Sequence, residues 1–357
     1  MSAALKILLI RRDNIGDLVC TTPVFTVLRQ RFPTAQIYAL VNSYNAPVLD
    51  QHPDVDRVFV YTKLKHRAPG QSRLRLLWQR LRMNRELKKI TFDYVLLPNS
   101  QPRLLDFALR LRAKHIVALG QSAESLQTVT MLPPIRDGEE HETQAAFRLL
   151  TPLGIEGVPP APTIVPDQAE VEKAYSAKAT KLGEGPIVGI HISARKPSQR
   201  WPSDRFEALM RGLHARHGLR FMLLWAPGTG ANPRHPGDDE KAQAILQSVG
   251  DLPVLPYPTQ TLPELIGALS ICDTVICSDG GAMHLAAGLG KRIVCLFGKS
   301  DAWRWHPWGS PHTLLQAGSK DVIDITVEDV MKAFEQLSAD KSRPPISKRE
   351  SGGFKLS

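Results

Sequence analysis

The chain has 357 residues, a formal net charge of +10 and 43% hydrophobic residues. This composition is typical of a globular protein of about two domains and excludes a mainly disordered chain. The four cysteines are too few and too scattered for a disulfide scaffold or a zinc cluster. No apolar run approaches the ~20 residues of a membrane-spanning helix, and the apolar N-terminus lacks the cleavage site of an export signal. A cytoplasmic protein is therefore expected.

Short apolar runs alternate along the chain with stretches of helical periodicity. In the first part, the pattern predicts strands at 5–10, 36–40, 57–61, 93–97 and 115–118, with helices near 16–31, 71–90, 101–113 and 141–153. Residues 155–168 contain four prolines and little periodicity, which is typical of a linker. In the second part, the pattern predicts strands at 187–191, 220–225, 274–277 and 293–297, with helices near 203–217, 238–249, 262–270, 281–289 and 326–338.

Repeated alternation of strand and helix predicts parallel sheets that are covered by helices on both faces. Two such blocks predict two Rossmann-like, doubly wound α/β domains that face each other across a cleft. They are expected at 1–155 and 169–340, joined by the proline-rich linker 156–168 and followed by a disordered basic tail at 341–357. The first 150 residues carry a net charge of +9 and residues 151–340 carry −3, so the first domain is expected to bind an anionic partner.

The segment RRDNIGD leads from the first predicted strand into the first helix. In open α/β sheets the carboxyl ends of the strands line the ligand-binding crevice, and Gly16 allows a tight turn there. Asp17 would face that crevice, where a carboxylate can act as a general base. The alternative is that Asp17 only complements the helix dipole. Asp13 is the next candidate for the base.

The segment SDGGAMH follows the apolar strand TVIC. Gly280 and Gly281 free backbone N–H groups at the start of the next helix, which is a ready site for a phosphate or diphosphate. Asp279 is placed to hold sugar hydroxyls, and His284 lies in the first turn of that helix. The alternative is a plain tight turn with a surface histidine.

The loop HISARKPSQRWP at 191–202 follows another apolar strand and contains three cations. Such a loop can hold the charge of a diphosphate leaving group without a metal ion. A solvated basic loop is the competing interpretation. The chain has no GxxxxGK[ST] motif and no His and Cys set with the spacing of a zinc site, so neither a Walker-type site nor a metal cofactor is expected.

Residues 63–89 concentrate basic side chains around a group of large apolar residues, namely Leu74, Leu77, Trp78, Leu81 and Met83. One interpretation is an ordinary amphipathic helix with a solvated cationic face. The other is a surface that binds the anionic cytoplasmic face of the inner membrane, to which each Lys or Arg adds about 1 kcal/mol. The second interpretation predicts a peripheral membrane protein.

Five segments in this order resemble glycosyltransferase family 9, the bacterial heptosyltransferases of lipopolysaccharide core assembly. They are ILLIRRDNIGDLVCTTPVFTVLR, FDYVLLP, RWPSDRF, SDGGAMHLAAGLGKRIVCLFG and DAWRWHPWG. The resemblance implies the GT-B fold of two Rossmann-like halves, in agreement with the alternation of elements. It also implies a metal-independent, inverting transfer of heptose from ADP-heptose to the lipid A-linked inner core, a phosphorylated glycolipid.

The resemblance assigns roles to single residues. Asp17 matches the family's catalytic aspartate, and Ser193 matches a hydroxyl that contacts phosphate. The family's donor-binding aspartate–x–glycine–x–x–histidine motif is matched by Asp279, Gly280, Gly281 and His284, with Gly280 where threonine is usual. Gln199 stands where the family often has a lysine, so Lys196 or Arg200 is expected to replace that lysine. The ribose-binding acid is expected within 238–240, with Glu240 as the candidate.

Three other functions stay open. A transferase of the same family could use another nucleotide sugar or another glycan acceptor. A nucleic-acid-binding protein would interleave basic residues with exposed aromatics, but aromatics are only 6% of this chain, so no nucleic acid partner is expected. A nicotinamide-dependent oxidoreductase needs a glycine-rich fingerprint after the first strand, where this chain has DNIGD.

Overall fold

The computed structural model describes residues 4–62, 72–99, 101–120, 128–134, 139–231 and 236–340. Within the described part, the chain divides into two compact units. Unit 1 comprises Met1–Asp167 with Asp301–Trp308, and unit 2 comprises Gln168–Ser300 with Gly309–Ser357. The proline-rich segment thus belongs to unit 1, and Asp301–Trp308 also belongs there although the sequence analysis assigned it to the second domain. The predicted basic tail lies outside the described residues.

Unit 1 contains a six-stranded parallel sheet. Its strands are β1 (Lys6–Arg11), β2 (Gln36–Asn42), β3 (Arg57–Tyr61), β4 (Tyr94–Leu97), β5 (His115–Leu119) and β6 (Val129–Leu132). Its longer helices are α1 (Ile15–Arg31), α2 (Arg73–Lys88), α3 (Pro102–Leu109) and α4 (Glu142–Arg148). The strand order is β3-β2-β1-β4-β5-β6.

Unit 2 repeats this plan. Its strands are β7 (Val188–His191), β8 (Phe221–Trp225), β9 (Val254–Pro258), β10 (Thr274–Ser278), β11 (Arg292–Phe297) and β12 (His312–Gln316). Its helices are α5 (Gln168–Leu182), α6 (Ser203–His217), α7 (Asp239–Ser248), α8 (Leu262–Ser270), α9 (Gly281–Gly288) and α11 (Val327–Ala339), while the short α10 (Ala302–Trp305) belongs to unit 1. The parallel strands follow the order β12-β11-β10-β7-β8-β9. When β7 is counted as the first strand of unit 2 and the sheet is read from β9, this is the same order as in unit 1.

The central strands are continuously apolar because helices cover both faces of each sheet. Ile7, Leu8, Leu9 and Ile10 of β1 are fully buried, and the cysteines of β10 and β11 are free thiols inside the core of unit 2. The prediction of two doubly wound α/β halves is confirmed by these two sheets.

Three strands, β6, β9 and β12, are not predicted by the sequence pattern, and each of them lies at the edge of its sheet. Edge strands have weaker signals because one side faces solvent, which favours polar residues and tolerates proline. The β9 sequence VLPYP contains two prolines, and β12 is only half-buried. The helices α5 and α10 were also not predicted.

The sheet order places a topological switch point between β1 and β4 in unit 1 and between β7 and β10 in unit 2. Chain connections depart from these strands in opposite directions, so a crevice opens at their carboxyl ends, where ligands bind in open α/β sheets. Asp17 follows β1, the loop 191–202 follows β7, and Asp279 follows β10. The sequence motifs therefore lie at the ligand-binding edge of each unit.

Candidate active site

Arg11, the last residue of β1, is buried in unit 1 among three carboxylates. Its Nη2 lies 2.9 Å from Asp17 Oδ1 and also contacts Glu142 Oε1, and its Nε lies 3.4 Å from Asp13 Oδ2. Burial alone would lower the pKa of Arg11, but the negative charges of these carboxylates raise it above its ordinary value. Arg11 is therefore a permanent cation that holds three acids in place.

Glu142 begins α4 and joins two arginines. One carboxylate oxygen accepts a hydrogen bond from Arg11, and the other accepts two from Arg304, with Nε at 3.0 Å and Nη2 at 2.8 Å. Glu142 is only 2% exposed, and the short helix α10 provides Arg304. This buried carboxylate ties the end of β1 to the segment Asp301–Trp308.

Asp17 is held by the first turn of α1. Its Oδ2 accepts hydrogen bonds from the backbone N–H and the side-chain amide of Asn14, both at 3.0 Å, and its Oδ1 accepts from Arg11. A carboxylate offers about four acceptor positions, two on each oxygen. Among the described residues, three of these positions are used. One position on Oδ1 is left for a ligand.

A polar cavity of about 380 Å³ lies beside Asp17. Residues at the ends of β1 and β4 line it, together with Glu142 and Arg304. The side-chain amide of Asn99 donates to Asp13 Oδ2 at 2.7 Å, so the loop after β4 is linked to the loop after β1. Carboxylates, amides and guanidinium groups side by side can bind the hydroxyl groups of a sugar.

In unit 2, Gln199 contacts the Asp279 side chain. Its Nε2 donates to Asp279 Oδ2 at 2.6 Å and lies 3.2 Å from Ser300 Oγ, which is also 3.2 Å from Lys196 Nζ. Asp279 and Gln199 are buried, whereas Lys196 is exposed. Gln199 thus fills the position next to Asp279, and Lys196 is the cation linked to this group through Ser300.

Arg200 points to a different neighbour. It forms an ion pair with buried Asp238 and donates from Nη1 to the carbonyl of Ala194 at 2.8 Å. Asp239 accepts hydrogen bonds from Trp225 Nε1 and from the backbone N–H of Gly228, each at 2.8 Å. Both oxygens of Asp239 and Oδ1 of Asp238 are therefore occupied by protein donors, whereas the buried Asp238 Oδ2 has no hydrogen-bond partner among the described residues. Glu240, in the first turn of α7, is exposed and forms no ion pair among the described residues.

Hydrogen bonds from Lys241, in α7, hold the loop 191–202 near both of its ends. Lys241 Nζ donates to the carbonyls of Ile192 and Trp201, at 3.2 and 2.6 Å, and burial lowers the pKa of Lys241 to about 8. Burial, with a further contribution from Lys241, lowers the pKa of His191 to about 4. At the end of β11, a side chain on Gly298 would place its Cβ 2.2 Å from the Ser198 carbonyl oxygen, so this close approach needs glycine.

The remaining predicted residues lie at the expected ends of β7 and β10. Ser193 is half-buried, and its Oγ accepts from the backbone N–H of Ala226 at 2.9 Å, which leaves the hydroxyl hydrogen for another acceptor. Gly280 precedes α9 and Gly281 begins it. His284 is only 4% exposed, so the alternative of a surface histidine is wrong.

A sequence profile of glycosyltransferase family 9 (heptosyltransferase) matches residues 80–334. The chain belongs to glycosyltransferase family 9. It is 24% identical over 320 residues to lipopolysaccharide heptosyltransferase 3 of Escherichia coli, and the alignment covers 88% of this chain and 89% of the relative. The resemblance carried by the five segments is thereby confirmed, and the chain is a glycosyltransferase.

Two solved structures share the fold. A family 9 glycosyltransferase from Veillonella parvula has a TM-score of 0.80 at 20% identity, covering 94% of this chain and 98% of that chain. The E. coli ADP-heptose lipopolysaccharide heptosyltransferase II has a TM-score of 0.71 at 19% identity, and the match covers 95% of this chain and 100% of that chain. These likenesses confirm the GT-B class of two Rossmann-like halves.

Sequence reasoning missed the ionic partners in this family 9 chain. Arg11 and Arg304 stand inside segments that carry the family resemblance, yet Glu142 lies outside all five. The one local signal is that Glu142 lies in the first turn of a helix, but exposed acidic residues are also typical of that position. Only packing shows that it is buried between two arginines.

Replacing Glu142 with glutamine should destabilise unit 1, because Arg11 and Arg304 lose the charge that they share. Removal of one partner of a buried ion pair costs about 3 kcal/mol or more. The free energy of unfolding, measured by urea denaturation, checks this value. Exposed Glu156 provides the matched control, and Glu156→Gln should change stability by less than about 0.5 kcal/mol. Equal effects of the two variants would contradict a structural role for Glu142.

Proposed function

We propose that this chain is an inverting transferase that moves a heptose from ADP-heptose to a lipid A-linked, phosphorylated inner-core acceptor of lipopolysaccharide. The observation that carries the proposal is Asp17, held by Asn14 and Arg11 with one acceptor position left, beside a polar cavity. The two named E. coli proteins supply the sugar and the acceptor class, since both are lipopolysaccharide heptosyltransferases and one is an ADP-heptose enzyme.

Unit 1 supplies the base. An acceptor hydroxyl in the cavity would donate its hydrogen to the remaining position on Asp17 Oδ1. Its oxygen then forms a bond to the anomeric carbon of the donor while the bond from that carbon to the diphosphate oxygen breaks. The electron pair leaves with the diphosphate, and the hydroxyl proton goes to Asp17. Arg11 keeps the carboxylate oriented throughout.

Unit 2 binds the donor in this proposal. The N–H groups of Gly280 and Gly281, the Ser193 hydroxyl and Lys196 are placed to receive the diphosphate at the ends of β7 and β10. Asp279 holds the sugar hydroxyls, and His284 lies in the same first turn of α9. Glu240, which is exposed and forms no ion pair among the described residues, is the acid for the ribose. Arg200, which forms an ion pair with Asp238, is the other cation of this loop and the second candidate for the diphosphate.

The direct test incubates the purified chain with a truncated inner-core acceptor and a panel of nucleotide sugars. We expect transfer from ADP-heptose with inversion at the anomeric carbon, and we expect EDTA to leave the rate unchanged because protein cations and N–H groups hold the diphosphate. Transfer from a different nucleotide sugar would support the alternative family function, which Gln199 in the lysine position favours. Loss of activity in EDTA with recovery on Mg²⁺ would contradict the metal-independent reaction.

Asp17→Asn should lower kcat by about 10²–10⁴-fold, because it keeps the shape of the side chain and removes the base. Donor affinity, measured by calorimetry, should stay the same. The sequence alone predicts an unchanged melting temperature, but the structure places Asp17 in the capping box of α1 and in an ion pair with buried Arg11. The cap contributes about 1 kcal/mol, and loss of the charge beside Arg11 should destabilise unit 1 further.

Asp329 provides the control because it occupies the same position in the capping box of α11. Asp329→Asn should cost about 1 kcal/mol of unfolding free energy, the capping contribution alone, and leave kcat unchanged. Near-normal turnover by Asp17→Asn would reduce Asp17 to a capping residue and move the search for the base to Asp13.

We also propose that α2 docks unit 1 on an anionic membrane surface. Leu74, Leu77, Trp78 and Leu81 are spaced as one helical stripe, and all four are exposed. The opposite side of α2 supplies the buried Leu76, Met83 and Leu87. An ordinary amphipathic helix has one apolar face, whereas α2 has two, and exposed basic residues flank the outer one. Residues 63–71 of the predicted basic stretch lie outside the described part.

None of the described helices is both long and apolar enough to cross a membrane. The exposed stripe instead has the composition of an interfacial helix, in which aromatic and leucine side chains enter the headgroup boundary and cations bind acidic lipid.

Trp78→Ser should weaken binding to vesicles of acidic phospholipid about 30-fold, since burying a large apolar side chain contributes about 2 kcal/mol. Vesicle sedimentation measures this, and added salt should weaken the binding further. Tyr175→Ser, which removes an exposed aromatic side chain of unit 2, should have no effect. Equal binding of both variants, or binding that ignores acidic lipid and salt, would contradict docking through α2.

A further inference from the structure

Unit 1 contains a second cavity, of about 300 Å³, with a lining unlike that of the cavity beside Asp17. Three arginines, Arg12, Arg103 and Arg110, line it, together with Tyr61, Asn84, Asp106 and Phe107. With a single carboxylate against three guanidinium groups, the cavity is cationic. The function proposed above gives it no role.

The position of this cavity follows from the backbone. Successive side chains of an extended segment point in opposite directions, so Arg11 and Asp13 line the larger cavity while Arg12 lines the smaller one. The helix α3 contributes Arg103, Asp106 and Phe107, and its C-cap residue is Arg110; the spacing of the four places them on one stripe. Tyr61 ends β3, so the cavity lies at the same carboxyl edge of the sheet as Asp17.

The cations here are not neutralised by neighbouring acids. Over the described residues, Arg12, Arg103 and Arg110 form no ion pair with a carboxylate, although Asp106 lies on the same stripe. The Arg12 guanidinium lies 3.7 Å above the Tyr61 ring, and Arg80 lies 4.5 Å from the same ring. Burial, and to a smaller extent the charge of Arg80, lowers the pKa of Arg12.

Arg12 also has an unused donor. Its Nε is buried and has no hydrogen-bond partner among the described residues. A buried donor without a partner is costly, and a ligand oxygen would satisfy it. Guanidinium groups bind phosphate through paired N–H donors, and several of them around one cavity are typical of an anion site.

We propose that the Arg12–Arg103–Arg110 cavity binds a phosphate group of the acceptor, next to the sugar whose hydroxyl Asp17 activates. This inference rests on the proposed function for the identity of the acceptor, while the phosphate chemistry rests on the cavity alone. Tyr61 and Phe107 supply apolar walls for the carbon atoms that carry the phosphate. The site would align the acceptor and select phosphorylated glycans.

The first experiment uses inorganic phosphate as the probe and needs no turnover. Arg103 on α3 and Arg110 at its C-cap are exposed, so the double variant Arg103→Gln, Arg110→Gln should fold normally, as a melting curve will verify. Phosphate binding, followed by ³¹P line broadening, should weaken by about 10- to 100-fold. Arg31→Gln is the matched control, because Arg31 is an exposed arginine at the C-terminal end of α1, whereas the cavity residue Arg12 precedes the N-terminal end of that helix. Equal binding by the double variant and the control would overturn the proposal.

The second experiment distinguishes an acceptor phosphate from a free or nucleotide phosphate. The KM of the wild type should be about tenfold or more lower for the phosphorylated acceptor than for the phosphatase-treated one. The double variant should lose this preference with the donor KM unchanged. A wild type that does not distinguish the two acceptors, or a variant that raises only the donor KM, would overturn the proposal. If no acceptor is glycosylated while phosphate binding still depends on Arg103 and Arg110, the proposed transferase function fails and the phosphate site stands.

Discussion

Arg11 ends the central strand of unit 1 with a guanidinium group that is almost completely removed from water. A buried cation is tolerated only where carboxylates and hydrogen bonds compensate for the lost hydration. Asp13, Asp17 and Glu142 provide that compensation from the loop after β1, from α1 and from α4, and Arg304 balances Glu142 from behind. The position of the candidate base is therefore a consequence of this charge balance, and so is the attachment of Asp301–Trp308 to unit 1.

The two halves of the chain use one strand order for different chemistry. Both place their functional residues where the carboxyl ends of neighbouring strands meet, at β1 and β4 or at β7 and β10. Unit 1 gathers ionised side chains there. Unit 2 gathers backbone N–H groups, hydroxyls and the amide of Gln199, which are donors of the kind that the oxygens of a diphosphate or a sugar can accept. This division matches a reaction in which one substrate loses a proton and the other releases an anion.

The basic character of the first half has a structural explanation as well. The exposed side of α2 combines cations with an apolar stripe, and the cavity lined by Arg12, Arg103 and Arg110 has a net positive charge. Both features lie in the unit that carries Asp17. A phosphorylated lipid acceptor would meet positive charge at the membrane surface and again beside the reacting hydroxyl.

Local patterns in the sequence were sufficient for the central strands, for most of the helices between them and for the placement of Asp17 and Asp279. Asp279 directly follows a buried strand and Asp17 lies in the first turn of the helix after one, and both positions lie at the ligand edge of an α/β fold. The edge strands β6, β9 and β12 were missed because exposure weakens the apolar pattern. The contacts that orient the site were also out of reach. Glu142 is 131 residues from Arg11 and 162 from Arg304, and Gln199 meets Asp279 across 80 residues. Such partners are chosen by packing and charge compensation between distant segments, which no short window of sequence contains, so only the tertiary structure decided them.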